Sequence, residues 1–217
     1  KKILKTSSKK LNNMIIKICG LHPVRDVQLC IDLKVDFLGF VFYEKSPRNI
    51  NLEEVKKLKN YEKKNSAFVA VTVNPNDDFI NNVVLNNFDY IQLHGTESEE
   101  RVKKIKSMGL KIIKAIKING ESDIANFRKY QIADFILFDT PGMEKSIKFP
   151  KELISKLPRG KKYALAGSIS SNNIEEIAKL GVNFCDLSSS LESDTQIGYK
   201  DHQKIRKFIE KTNELKN

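Results

Sequence analysis

The stretch Ala67-Phe68-Val69-Ala70-Val71-Thr72-Val73 decides how the chain is read. Its apolar residues do not alternate with polar ones, and four of the seven are β-branched. A strand with one wet face would alternate; one buried on both faces would not, and that is the habit of parallel sheets covered by helices. Working outward, similar short runs recur at Ile15–Ile18, Phe37–Phe42, Tyr90–Leu93, Lys111–Lys117, Phe135–Phe138, Lys162–Ala166 and Phe184–Leu187, with Phe68–Val73 as the third of eight. Between and after them lie eight helical patterns: Val24–Lys34, Leu52–Lys63, Asp77–Asn86, Ser98–Met108, Asp123–Tyr130, Lys151–Leu157, Asn172–Leu180 and Asp201–Glu214.

The helix ends carry their own signals. Ser98 precedes Glu99 and Glu100, an acidic first turn that suits the positive end of a helix dipole. Lys106 and Gly109 close the same helix with a cation and a C-terminal glycine, and Lys179 and Gly181 repeat the pattern before the last strand. Strict βα alternation implies a parallel sheet, and eight units of about 25 residues imply closure into a single (β/α)8 TIM barrel over residues 14–217. An open doubly wound sheet is the competitor. It would usually carry a glycine-rich first turn, and no G-x-G-x-x-G follows any strand.

The 217 residues are enough for one unstapled core, and no apolar run approaches the 18 residues of a membrane span. A formal charge of +11 raises the question of nucleic acid. Lys1, Lys2, Lys5, Lys9 and Lys10 supply five of those charges, and only six residues are Arg, the side chain that reads bases and phosphates in bidentate fashion. Neither a nucleic-acid nor a membrane partner is expected. Residues 1–13 read as a flexible basic extension, with Met14 a candidate start, and lack the apolar core of a secretory signal. Cys19, Cys30 and Cys185 are too few and too widely spaced for a disulfide framework or a zinc site, which fits a reducing, cytoplasmic setting. His22, His94 and His202 are scattered, and there is no Walker loop and no H-E-x-x-H. No cofactor and no metal are expected.

In such a barrel the active site lies at the C-terminal ends of the strands. The polar residues there are Lys17, Cys19, Arg48, Gln92, His94, Asp139, Gly167, Asp186 and Ser188–Ser190. Residues two apart share a face, so Lys17 and Cys19 fall together, and an ammonium beside a thiol favours thiolate and a lowered pKa. Phe135, Leu137 and Asp139 also share a face, placing a carboxyl above an apolar layer, where partial burial suits a general acid. A thiol base opposite a carboxylic acid is equipment for moving protons between adjacent carbons. Taken singly, Cys19 also reads as a core cysteine and Asp139 as a turn cap.

The segments Ile16-Lys17-Ile18-Cys19-Gly20-Leu21, Lys45-Ser46-Pro47-Arg48, Gln92-Leu93-His94-Gly95, Leu137-Phe138-Asp139-Thr140, Leu165-Ala166-Gly167 and Asp186-Leu187-Ser188-Ser189, in this order, carry a further reading. With them the chain, from Met14 to about Glu214, resembles the phosphoribosylanthranilate isomerases of tryptophan biosynthesis. The resemblance implies a barrel that turns N-(5'-phosphoribosyl)anthranilate into its 1-deoxyribulose 5-phosphate isomer by an Amadori rearrangement, with Cys19 as general base and Asp139 as general acid. It implies that Arg48 pairs with the anthranilate carboxylate, where a solvated loop charge is the plain reading. Gly167, Ser168, Ser189 and Ser190 would surround the phosphate, and Lys17, His94 and Asp186 would complete the substrate-binding set. The partner is then a small phosphosugar and the assembly a monomer or homodimer.

The chain departs from the family pattern at three loops. Gly167-Ser168 stands where a Gly-Gly pair is common, Ser188-Ser189-Ser190 where Ser-Ser-Gly is common, and residues 141–150 replace a glycine-rich cover after strand six. His22 stands where a small hydroxyl residue is usual and reads as a helix-entry residue. These departures keep a second function open, a catalytically impaired phosphosugar-binding paralogue on the same barrel.

Overall fold

A computed structural model describes residues 14–140, 151–160, 162–167 and 169–215. Among the described residues there are eight strands: β1 Ile15–Cys19, β2 Phe37–Phe42, β3 Ala67–Thr72, β4 Tyr90–Leu93, β5 Lys111–Lys117, β6 Phe135–Asp139, β7 Tyr163–Ala166 and β8 Phe184–Leu187. Each pairs in parallel with the next, and β8 pairs with β1, which closes the barrel and excludes the open sheet. Residues 1–13 and the cover at 141–150 lie outside the described residues.

Helical segments fill every interval: α1 Pro23–Asp32, α2 Leu52–Lys57, α3 Asp77–Phe79, α4 Leu85–Asn87, α5 Glu99–Ser107, α6 Glu121–Ile124, α7 Lys151–Ser155, α8 Ile174–Lys179 and α9 His202–Glu214. Ser98 caps α5 by accepting a hydrogen bond from the Arg101 N–H at 3.2 Å, as its position before two acids implies. Three expected helices are less regular than their sequence patterns, and the one expected over Leu52–Lys63 is α-helical to Lys57 and then turns 3₁₀ over Leu58–Asn60. The helix expected over Asp77–Asn86 passes through a π-helical stretch, Ile80–Val84, between α3 and α4. Its asparagines compete with the backbone ladder: Asn86 donates to the carbonyls of Asn81 and Asn82, and Asn87 to that of Val83. The helix expected from Asp123 starts at Glu121, because the Asp123 carboxylate accepts the N–H groups of Asn119 and Gly120, and it continues as a 3₁₀ stretch, Ala125–Tyr130.

Two apolar clusters follow from strand parity. Outward side chains such as Ile18, Phe40, Phe68, Ile112 and Phe138 pack under the helices. Inward side chains fill the barrel. Its floor is an aromatic layer from the even strands, Phe37, Tyr90, Phe135 and Phe184, whose neighbouring rings lie 5.1 to 6.0 Å apart between centroids. Fully burying such a side chain is worth about 1.5–3 kcal/mol, so this plug anchors the lower barrel. Above it the filling turns polar, and there the functional residues begin.

Candidate active site

Register sets the first contact. Lys17 on β1 is the parallel partner of Asp186 on β8, and both face inward. Lys17 Nζ donates to Asp186 Oδ2 at 2.8 Å, with the two side chains 1% and 6% exposed. These two members of the expected substrate-binding set lie beneath the mouth, shielded from solvent. Gly39 makes this possible. A Cβ there would stand 3.1 Å from both Lys17 Nζ and Cys19 Sγ, so any larger residue would crowd the ammonium and the thiol together.

Cys19 ends β1 at the mouth, 9% exposed. The expected lowering of its pKa is reversed. Burial pushes the thiol above its ordinary value, and the attraction of Lys17 and Lys200 offsets only part of that, with the Asp186 carboxylate pushing further the same way. For Lys17, burial alone would pull the ammonium down, but Asp186 and the Cys19 sulfur outweigh it and hold the group above the ordinary lysine value. Alkylation of Cys19 by iodoacetamide is therefore expected to have its midpoint above the ordinary thiol value of about 8.5. Cys30 and Cys185 have thiols that burial pushes up as well and are completely buried, whereas Cys19 keeps some exposure, so Cys19 should react first. Peptide mapping after alkylation across a pH series checks this; a midpoint below the ordinary value would make Lys17 the stronger influence.

Asp139 ends β6, three strands round the barrel from Cys19. Its side chain is 29% exposed and meets His94, from the end of β4, at 3.1 Å between Oδ2 and Nε2. His94 thus buttresses the carboxyl group while remaining open to the mouth. Lys117, which sequence reasoning passed over, ends β5 as the register partner of Asp139 and is exposed. The signal was available in its parity with Ile113 and Ala115, both inside the barrel.

Arg48 is not a solvated loop charge. Its side chain is 24% exposed, and its guanidinium grips Glu192 through two bonds, from Nε to Oε1 and from Nη2 to Oε2 at 3.0 Å. Glu192 and its second partner Lys200 were also missed, since both sit in a Ser-, Asp- and Thr-rich stretch without periodicity. Gly167 follows β7 with φ 81°, and Ser168 lies outside the described residues. Ser189 and Ser190 are exposed and open a 3₁₀ turn, Ser189–Leu191, where backbone N–H groups lack intrahelical partners. His22 caps the entry to α1, its ring stacked on Tyr199 with centroids 4.5 Å apart, which is the helix-entry role expected of it. Among the described residues no group of three His, Cys, Asp or Glu is placed to hold a metal ion, and no helix is long and apolar enough to cross a membrane.

A buried ion pair under a thiol, with a carboxyl group on the same rim, defines the class: a (β/α)8-barrel enzyme whose mouth carries groups suited to proton transfer. Comparison with known proteins narrows the class to one family. Residues 16–211 match the family model of N-(5'-phosphoribosyl)anthranilate (PRA) isomerase, and the chain belongs to that family. It is 34% identical to the N-(5'-phosphoribosyl)anthranilate isomerase of Agrobacterium fabrum over 92% of this chain and 94% of that protein. Its fold matches monomers of the dimeric isomerase of Thermotoga maritima with a TM-score of 0.77 and 27% identity, covering 92% of this chain and 98% of that one. It also matches a phosphoribosyl anthranilate isomerase solved with reduced 1-(o-carboxyphenylamino)-1-deoxyribulose 5-phosphate, with a TM-score of 0.78, 27% identity and the same two coverages, 92% and 98%.

Proposed function

We propose that the chain performs the family reaction, with Cys19 as base and Asp139 as acid. The observation that carries this reading is the seating of these two groups at the C-terminal ends of β1 and β6 in a chain that matches the family over residues 16–211. Asp139 protonates the furanose ring oxygen of phosphoribosylanthranilate, and the ring opens to a Schiff base. Cys19 then takes the proton from C2', and the electron pair of that bond moves toward the iminium nitrogen to give the enolamine. Tautomerisation moves the hydroxyl proton off C2'–OH and delivers one to C1', which leaves the ketone. C1' is reduced and C2' oxidised within one molecule, so no external oxidant or reductant is required.

Binding divides between two anions. The phosphate suits the N–H groups of Gly167, Ser189 and Ser190, and the carboxylate suits Arg48; Ser168, the neighbour of Gly167 in sequence, belongs to the same proposed phosphate set. The solved relative that holds a reduced 5-phosphate product supports a ligand of this size and charge. The chain acts as a monomer or a homodimer, and the dimeric Thermotoga maritima relative supports the second. Three free, buried cysteines suit the cytoplasm.

The test is growth without tryptophan of a host that lacks this isomerase. The chain should restore growth, and its Cys19→Ala variant should not. A chain that binds the reduced product but neither restores growth nor turns over fresh substrate would instead be the impaired phosphosugar binder.

A further inference from the structure

Arg48 reaches the mouth already engaged by a carboxylate, and the way it is engaged has a consequence for substrate binding. Glu192 receives four donors: Arg48 Nε and Lys200 Nζ at Oε1, and Arg48 Nη2 and the Gly198 N–H at Oε2. With every acceptor direction occupied, its carboxylate has no reason to seek another cation. Burial works against its charge, but Arg48 and Lys200 prevail and hold it below the ordinary glutamate range. The Nε/Nη2 edge of the guanidinium is thereby consumed. The Nη1/Nη2 edge, with one hydrogen from each nitrogen, remains for a second carboxylate in the same plane.

Lys200 gives this arrangement its sign. Arg48 and Glu192 alone would cancel, and a neutral pair attracts an anion weakly. Lys200 is fully buried, and its ammonium meets Glu192 Oε1 at 3.0 Å, the Ser188 carbonyl at 3.2 Å and Ser188 Oγ at 3.5 Å, three acceptors for three protons. Two cations against one anion leave the cluster with one positive charge, which the substrate carboxylate neutralises. The cluster also backs onto the catalytic strand. The Arg48 stem lies over Gly20, where a Cβ would come within 2.5 Å of Arg48 Cδ, and Ser188 Oγ donates to the Cys19 carbonyl at 3.1 Å. Gly198, at φ 89°, brings the loop after β8 onto the loop after β2; a Cβ there would stand 2.5 Å from the Pro47 carbonyl oxygen and prise the two apart.

We propose that Glu192 and Lys200 are positioning residues of the carboxylate subsite: Glu192 fixes Arg48 by one edge so that the other presents to the anthranilate carboxylate, and Lys200 keeps the cluster cationic. This rests on the isomerase reading above.

The test compares two substrates on one preparation of each full-length variant, phosphoribosylanthranilate and its descarboxy analogue N-(5'-phosphoribosyl)aniline. Because both are assayed on the same protein, the ratio of their kcat/KM values does not depend on the folded fraction. Glu192→Gln and Lys200→Met should each lower that ratio by about tenfold or more, mainly through KM for the carboxylated substrate. Lys200→Arg, which keeps the charge, should recover part of the loss. If Lys200→Met does not accumulate, the near-isosteric Glu192→Gln decides alone. A ratio equal to that of the wild type overturns the proposal and leaves the isomerase reading standing. A wild-type chain that turns over neither substrate sinks the isomerase reading itself.

Discussion

Cys19→Ala is expected to lower turnover of phosphoribosylanthranilate by about 10²- to 10⁴-fold, and Asp139→Asn by a similar factor, the range that a positioned general base or acid contributes. Neither change should unfold the barrel. Cys19 lies at the mouth rather than in the aromatic floor, and alanine removes one sulfur atom next to Gly39, where space is set by the absence of a side chain. Asp139 is partly exposed, and asparagine keeps its shape and a hydrogen-bonding atom for His94 at the end of β4. Thermal melts of both variants should stay within a few degrees of the wild type while steady-state rates collapse. The double variant should lose little more than either single one, because acid and base serve one sequence of proton transfers and groups that act as a unit are not additive. Near-normal turnover in either single variant removes that residue from its role. A melt shifted down in step with the activity would trace the loss to folding instead.

The architecture was legible because it rests on local signals repeated eight times. Apolar runs without alternation mark strands buried on both faces, and caps such as Ser98 mark where helices begin, so closure follows from the count. Parity places Lys17 and Cys19 side by side, and in the barrel both side chains reach Gly39, where a Cβ would stand 3.1 Å from Lys17 Nζ and from Cys19 Sγ. What parity does not report is depth. The same face that puts Lys17 beside Cys19 also buries most of both, so burial, not the neighbouring cation, sets the direction of the thiol. Glu192 shows a second limit. It sits in a polar stretch that reads as solvated loop, and its main partner, Arg48, lies 144 residues earlier in the chain. Only the closed barrel brings the loop after β8 against the loop after β2. The π-helical stretch at Ile80–Val84 is a third case, in which asparagine side chains near a helix end compete with the backbone for its carbonyls.

Lys17→Met should have the largest effect on stability. It removes the partner of a carboxylate that is 6% exposed and whose other oxygen, Oδ1, has no hydrogen-bond partner among the described residues. Stripping one member from a buried pair costs about 3–5 kcal/mol, because the remaining charge is stranded in the barrel interior. Activity should fall as well, by at least about tenfold, since the cation that offsets the burial of Cys19 is gone and each unit of thiol pKa is worth about 1.4 kcal/mol. The two losses separate in the double variant Lys17→Met/Asp186→Leu. An apolar pair of similar volume meets no unpaired charge, so urea unfolding should return most of the lost stability. Turnover should stay low, because the thiol then faces an apolar interior with no ammonium beneath it. A single variant as stable as the wild type would mean that Lys17 and Asp186 do not depend on each other. A double variant with full turnover would mean that the pair props up the barrel and leaves the chemistry to the rim above it. The expected result, stability regained without activity, would make the buried lysine part of the base: burial holds the Cys19 thiol above its ordinary value, and the ammonium two residues back on the same strand offsets part of that.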